Sequence, residues 1–419
     1  MKLIRPFAAL RPTIDQAQYV AAPPYDVLSS KEAAVLTKEK PLSFLHISKP
    51  EIDLPEGTDL YSDQVYQKGL ENLNKMIEKG VLKQDSAPTY YVYRMIDGDH
   101  EQTGLVLTAS AKAYSENLIR KHELTRPDKE NDRLRHIDTL NAQISPVLLT
   151  CRPSKKLSDI LKETSTGDPV ADVVMAQDVR HTLWKINESE VVDQISDLFN
   201  VSDGSKPEID RLYIADGHHR SAAATRIYEQ RSANNSEHTG DENYNFFLSV
   251  VYPSNTMKIL DYNRVVRDLN RLSTSEFLTE IKQSFNIEKM ESPFKPAKPK
   301  EMGMYLEGSW YKLTLKAGIQ IPSDPSERLD VSLIYQFLLL PVLGIKNQRT
   351  DKRIDFVGGI RGLEELERRV NSGEMKAAFS FYPTQMEQII DVADNEQIMP
   401  PKSTWFEPKL VDGLISYML

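Results

Sequence analysis

The chain has a single cysteine, Cys151, in 419 residues. One thiol excludes an intramolecular disulfide and any cysteine-based zinc site. Long hydrophobic runs are also missing. The longest, Phe337 to Ile345, is broken by Pro341 and falls well short of the ~20 residues that cross a bilayer. Basic residues are not in excess: 52 Lys and Arg against 61 Asp and Glu leave a net charge of −9. That balance argues against wide contact with a nucleic-acid backbone, which calls for a basic face. No Walker A, G-x-G-x-x-G or H-x-x-x-H pattern occurs, so P-loop, Rossmann and classical zinc-hydrolase mechanisms are set aside. The opening MKLIRPFAAL is interrupted by Pro6 too early for a signal peptide. The expectation is a cytoplasmic protein without membrane or extended nucleic-acid contact; its oligomeric state stays open.

What is present describes an ordinary globular chain, 40% hydrophobic and 27% charged. Its length accommodates two domains. Up to about Asn200, strand-like runs alternate with helical patterns, an α/β arrangement. Leu3 to Leu10, Ser43 to Ser48, Thr89 to Met95, Gly104 to Ala111 and Pro146 to Thr150 read as strands, and Val179 to Lys185 as a sheet-edge strand. Asp63 to Lys79 and Val191 to Phe199 carry apolar residues at helical spacing. Asn245 to Tyr252 is a buried strand, and Ser292 to Lys300, with three prolines, an extended connector. The expected domains are 1–253, α/β, and 254–419, an α+β part packing on it.

The chemistry concentrates in RLYIADGHHRSAAATRIYEQR, Arg211 to Arg231. Leu212 to Ala215 is a buried-strand run, Asp216-Gly217 breaks it, and Ser221 to Arg231 follows with helical spacing. A helix start leaves N–H groups unpaired and carries partial positive charge, so it favours phosphate. Gly217 permits close backbone approach or positive φ. Arg220 supplies a two-pronged contact to phosphate oxygens, and Ser221 stands beside it. His218 and His219 donate hydrogen bonds or shuttle protons. Asp216 accepts a hydroxyl proton or holds Mg²⁺ through water. The plainer reading has Asp216 capping the helix and the histidines bonded to backbone.

Other groups join this one. Ala22-Pro23-Pro24-Tyr25-Asp26-Val27 is a rigid turn into a helix capped by Ser29 or Ser30, with Glu32 completing a capping box from Ser29. It places Tyr25 and Asp26 at a pocket rim, or serves as a structural turn only. KHELTRPDKENDRLRH, Lys121 to His136, offers Lys121, His122, Arg126, Lys129 and Arg133 to a polyanionic ligand, or forms a solvated charged face. Thr125-Arg126-Pro127-Asp128 reads as a turn. Arg349 to Arg353 before Gly358-Gly359 is a weak phosphate-loop pattern. In MPPKSTWFEPKL, Met399 to Leu410, Lys402 and Lys409 offer charge and Trp405 and Phe406 flat stacking surfaces, or the segment is a packed terminal clamp.

The stretch Asp216-Gly217-His218-His219-Arg220, between a strand and an Ala-rich helix, resembles the signature of free serine kinases of the ParB/sulfiredoxin-like superfamily. The whole chain resembles the bacterial and archaeal family termed domain of unknown function 1015. That resemblance rests on IRPFAALRP at Ile4, AAPPYDVLSS at Ala21, PLSFLHISKPEIDLP at Pro41, KHELTRPDKENDRLRH, RTDKRIDFVGGIRGLEELERRV at Arg349 and MPPKSTWFEPKLVDGL. The first likeness implies a ParB/sulfiredoxin-like mixed-sheet core elaborated by the C-terminal α+β part. It further implies ATP or ADP as phosphoryl donor with Mg²⁺, the nucleotide phosphates on Gly217 to Arg220, and serine or phosphoserine as the other ligand. Asp216 or another carboxylate would act on the acceptor hydroxyl, with transfer achieved mainly by positioning and charge neutralisation. Two alternatives stand beside this phosphotransferase, or phosphatase, reading. One is a non-catalytic ParB-like nucleotide-binding regulator, for which no helix-turn-helix is evident. The other is a metal-dependent hydrolase using Asp216, His218 and His219, which lacks ligand spacing.

Overall fold

Most of the apolar runs become strands of one mixed sheet. The computed structural model describes residues 2–200 and 206–419. The chain divides into two units, residues 1–257 with 408–419, and residues 258–407. A single boundary at 253/254 was expected; the last twelve residues instead return to the first unit, because their backbone pairs there. Asp412 pairs with Ala22, Ser416 with Leu10, and Tyr417–Met418 with Ala142–Gln143.

The strands of the first unit's large sheet are β1 (Ile4–Arg5), β2 (Tyr91–Asp97), β3 (His100–Ser110), β4 (Ile119–Arg120), β5 (Val147–Cys151), β6 (Ala171–Val174), β7 (Arg180–Lys185), β8 (Leu212–Asp216) and β9 (Phe246–Pro253). Their order is β4-β8-β5-β9-β3-β2-β7-β6, with β1 paired to β3. The pairs β4–β8 and β5–β9 are parallel and the others antiparallel, so the architecture is mixed α/β. Helices named below are α1 (Ser30–Thr37), α2 (Asp63–Glu78), α3 (Pro127–Leu140), α4 (Ser189–Phe199) and α5 (His218–Asn234).

Local chemistry explains these elements. α1 carries the reciprocal Ser29–Glu32 capping box. α2 buries Val65, Leu73 and Met76 on one stripe. α5 buries Ala222, Ala223, Ala224 and Ile227, together with Ile214 of β8 and Leu149 of β5 in one apolar cluster. Three consecutive alanines bring the helix close to its neighbours, and burying Ile227 contributes about 1.5–3 kcal/mol.

Two expectations are corrected. Ser43 to Ser48 is not a strand: Leu45–Ser48 is a helical turn. Phe44, Leu45, Ile47 and Ser48 are all buried, so the run has no alternation by which a strand is distinguished from a buried helix. Arg180–Lys185 is not at the edge either, since β6 lies outside it. Its polar residues are buried because they are bonded: His181 Nδ1 lies 2.8 Å from Tyr93 Oη, and Thr182 Oγ1 donates to Asp172 at 3.0 Å.

The second unit is a six-stranded antiparallel sheet of β10 (Tyr262–Val266), β11 (Phe285–Met290), β12 (Glu301–Leu306), β13 (Ser309–Leu315), β14 (Ile354–Gly358) and β15 (Ala377–Phe381). Its order is β11-β13-β12-β15-β10-β14. Helices α6 (Thr274–Ser284), α7 (Gly362–Asn371) and α8 (Met386–Asp394) accompany it, and Ser292 to Lys300 is neither helix nor strand. The wholly buried Arg264 of β10 donates from Nη1 to Lys402 O and from Nη2 to Pro401 O, both at 3.1 Å, tying the Pro400 to Ser403 turn to the sheet. Among the described residues no helix is long and apolar enough to cross a membrane.

Candidate functional site

The corner between β8 and α5 begins with a bulge. Ile214 faces Leu149 and Asp216 faces Leu148, so the register shifts at Ala215. A bulge re-aims the side chain that follows it, here Asp216. Gly217 then adopts φ +99°, and α5 starts at His218, one turn earlier than the spacing predicts. A Cβ on Gly217 would lie 3.0 Å from Arg220 Nε, so glycine is required by both conformation and space. His218, His219 and Arg220 are therefore the first three helical residues rather than part of a turn.

Charged groups converge on this start. Arg220, about 10% exposed, stands 3.7 Å from Asp216 and 3.8 Å from Asp26, and donates through Nη1 to Pro146 O. Lys409 donates to Asp216 Oδ2 at 2.9 Å. Burial resists ionisation of Asp216, but Lys409 and Arg220 outweigh it and hold the carboxyl well below the usual carboxylate range. Burial likewise disfavours a charged Arg220, and Asp26 and Asp216 more than offset that, so the guanidinium stays ionised. Asp412 accepts the Tyr25 N–H at 3.3 Å and is almost wholly buried. Its burial pushes the carboxyl up to about 7, with the Ser145 hydroxyl and Arg220 only partly opposing. The Tyr25 phenol is pushed up to about 12 by its own burial, and the Arg133 guanidinium sits 4.0 Å from the centre of its ring while pairing with Asp132 at 2.6 Å. Asp216 and Asp26, about 33% and 41% exposed, open the corner to solvent.

The remaining candidates separate into other groups. His218 and His122 are buried edge to face, ring centres 4.6 Å apart. Burial lowers both, His122 to about 4, so both are neutral at pH 7. Among the described residues His218 Nε2 has no hydrogen-bond partner, and the His122 ring has only the Ile214 backbone near it, outside good hydrogen-bond geometry. A ring this enclosed gives no support to a phosphate contact by His122. His219 Nε2 accepts the Arg126 N–H at 3.0 Å, which leaves the proton of the neutral ring on Nδ1. Thr125 to Asp128 is thus less a free turn than the start of α3, with Arg126 preceding Pro127 at the first helical position. The Arg126 guanidinium pairs with Asp128 at 2.8 Å, Lys129 Nζ reaches Tyr61 Oη at 3.4 Å, and Lys121 Nζ lies 4.4 Å from the Tyr114 ring centre.

Ser221 requires a correction. It is wholly buried, its N–H bonds to Gly217 O and its hydroxyl to His218 O, both at 3.0 Å, so no group remains for a phosphate. Lys402 and Trp405 belong to the second unit: Lys402 Nζ is 5.5 Å from the Tyr262 ring centre, and Trp405 Nε1 donates to Glu407 at 2.7 Å. The Trp405 ring also covers Gly358, where a Cβ would lie 2.6 Å from it, and Asp261 crowds Gly359. Packing thus accounts for the double glycine without a phosphate. A broad depression of about 680 Å³ near Gln230 and Arg231 lies at the far end of α5 from the corner, roughly 20 Å away at 1.5 Å per residue.

Lys409 was noted in the sequence only as a charge in a proline-rich stretch, and Asp412 gave no signal in Val411-Asp412-Gly413. The corner can neutralise an anion with a guanidinium, an ammonium and a helix start, while two carboxylates remain to orient a hydroxyl or a cation. Among the described residues no group of three or more His, Cys, Asp or Glu is placed to hold a metal ion.

Comparison with solved structures finds distant likeness. A conserved hypothetical protein from Pyrococcus furiosus is 12% identical with a TM-score of 0.33, covering 72% of this chain and 90% of its own. Free serine kinase in complex with AMP gives 12% and 0.34 over 72% and 86%, and SbnI with C-terminal truncation from Staphylococcus aureus 10% and 0.34 over 72% and 82%. No curated protein matches. The family model described as "Protein of unknown function (DUF1015)" matches residues 4–332, a span that takes in both sides of the corner except Lys409 and Asp412. By that match the chain belongs to the DUF1015 family.

Proposed function

We propose that the first unit binds a phosphorylated small molecule, a nucleotide foremost, at the Asp216 to Arg220 corner, and that it transfers a phosphoryl group there. The observation that carries this reading is the helix start at His218 behind the left-handed Gly217, with Arg220 and Lys409 beside it and two partly exposed carboxylates facing them. Unpaired N–H groups and the helix dipole favour phosphate at such a position, and the guanidinium adds a directional contact.

The carboxylates divide the work. Asp216 is held ionised by Lys409 and Arg220, which makes it a poor proton acceptor and a good ligand for charge. Asp26, the more exposed, is the group this reading assigns to the acceptor hydroxyl. As the new phosphorus–oxygen bond forms and the bond to the leaving oxygen breaks, Asp26 takes the hydroxyl proton. Mg²⁺ is commonly held by one or two carboxylates together with substrate phosphates, and Asp216 would hold it; it would neutralise phosphate charge. The resemblance of the DGHHR stretch puts serine first among acceptors and a ParB/sulfiredoxin-like core first among fold names. His218 serves this reading as a buried neutral wall, and His219 as a link to Arg126.

The test is turnover with ATP, ADP or pyrophosphate and a hydroxyl acceptor. Asp216→Asn and Arg220→Ala are each expected to lower turnover at least about a hundredfold while the far-ultraviolet circular dichroism stays unchanged. Normal activity in either variant discards the site.

A further inference from the structure

The C-terminal segment crosses the first unit as a strap. Its backbone is bonded at Asp412 to Ala22 in both directions, at 2.9 and 3.0 Å, and at Ser416 to Leu10, at 2.8 and 2.9 Å. Gly413, at φ +90°, sits against Phe44, and Leu414 and Ile415 are buried. This anchoring delivers the Lys409 ammonium to Asp216 Oδ2 at 2.9 Å, with both side chains still partly open to solvent, about 25% and 33%.

We propose that Lys409 is a ligand-binding residue of the corner, a cation for a terminal phosphate that exchanges the Asp216 carboxylate for a phosphate oxygen. The proposal rests on the reading above and goes beyond it, since the family model ends at residue 332. Charge counting motivates it. Asp26 and Asp216 face Arg220 across 3.8 and 3.7 Å, so without Lys409 two carboxylates oppose one guanidinium and the corner repels phosphate. With Lys409 the signs balance while Asp412 keeps its proton, and the partial positive charge of the helix start decides for the anion. Both side chains stay partly open to solvent, so a phosphate oxygen can reach the ammonium.

The experiment is isothermal titration of the full chain with pyrophosphate and with Mg-ADP. Lys409→Met is expected to weaken both at least about tenfold, and Lys409→Arg to stay within about threefold. A chemical rescue separates loss of the amine from damage to the fold. Lys409→Cys is expected to bind weakly and to recover after aminoethylation, while the one native thiol, Cys151, stays inert because it is buried and its pKa is pushed up to about 12. If Lys409→Met binds like the wild type while Arg220→Ala does not, this inference fails and the reading of the corner stands. If the aminoethylated protein stays weak, the inference also fails. If the wild type binds neither probe, both fall.

Discussion

Two carboxyls of the corner are driven in opposite directions by their surroundings. Asp216 sits 2.9 Å from an ammonium and is held below the ordinary range; Asp412 is almost fully enclosed and rises to about 7. The groups facing Asp412 are the Ser145 hydroxyl, Arg220, Asp26, the Tyr25 N–H and the Tyr93 phenol, and of these only Arg220 is a cation. A carboxyl whose folded pKa is raised stabilises the fold fully below its unfolded value, near 3.8, and loses that contribution as pH rises through about 7. Wild-type stability relative to Asp412→Asn should therefore fall from pH 4 to pH 7, by an amount on the order of a few kcal/mol. Urea midpoints at a series of pH values measure this, and a flat difference would remove the assignment.

At the scale of the element, the corner depends on Gly217. Gly217→Ala puts a Cβ 3.0 Å from Arg220 Nε and forces a left-handed conformation on an L residue. The expected cost is about 1–2 kcal/mol, with weaker pyrophosphate binding as Arg220 is displaced; denaturant melts and titration read the two effects separately. This element was legible in the sequence because an apolar run, a glycine and an Ala-rich helical pattern are contiguous. The helical turn at Leu45–Ser48 was not, since a short run with every apolar side chain buried has no period. Lys409 and Asp412 were hidden for another reason. They meet the corner from 193 and 387 residues away in sequence, measured to Asp216 and Tyr25, and only the pairing of the strap with Leu10 and Ala22 brings them there. The buried face of His218 against His122 was equally unreadable, because no local spacing encodes which imidazole turns inward.

Across the whole molecule, titratable groups are unevenly shared. All eight histidines fall in residues 1–257, none in 258–407. Four of them, His122, His136, His181 and His218, are buried with pKa values lowered, first of all by burial. For a depressed pKa the stability is present above the unfolded value, near 6.5, and is lost as pH falls toward the folded one, about 4 for His122 and His181. Acidification from pH 7 to pH 5 should thus loosen the first unit by several kcal/mol, less what Asp412 returns. Hydrogen exchange corrected for intrinsic rates resolves the units: protection should drop in β5, β8 and α5 and hold in β12 and β15. Equal loss in both units would contradict this account.

The central claim is that the start of α5 seats a phosphorylated ligand. Thermal melting of the full chain with pyrophosphate or Mg-ADP tests it most directly, because a ligand that binds only the folded state raises the midpoint by mass action. The account predicts a concentration-dependent rise in the wild type that disappears in Arg220→Ala. An unmoved wild-type midpoint with both ligands, or the same rise in the variant, would contradict it.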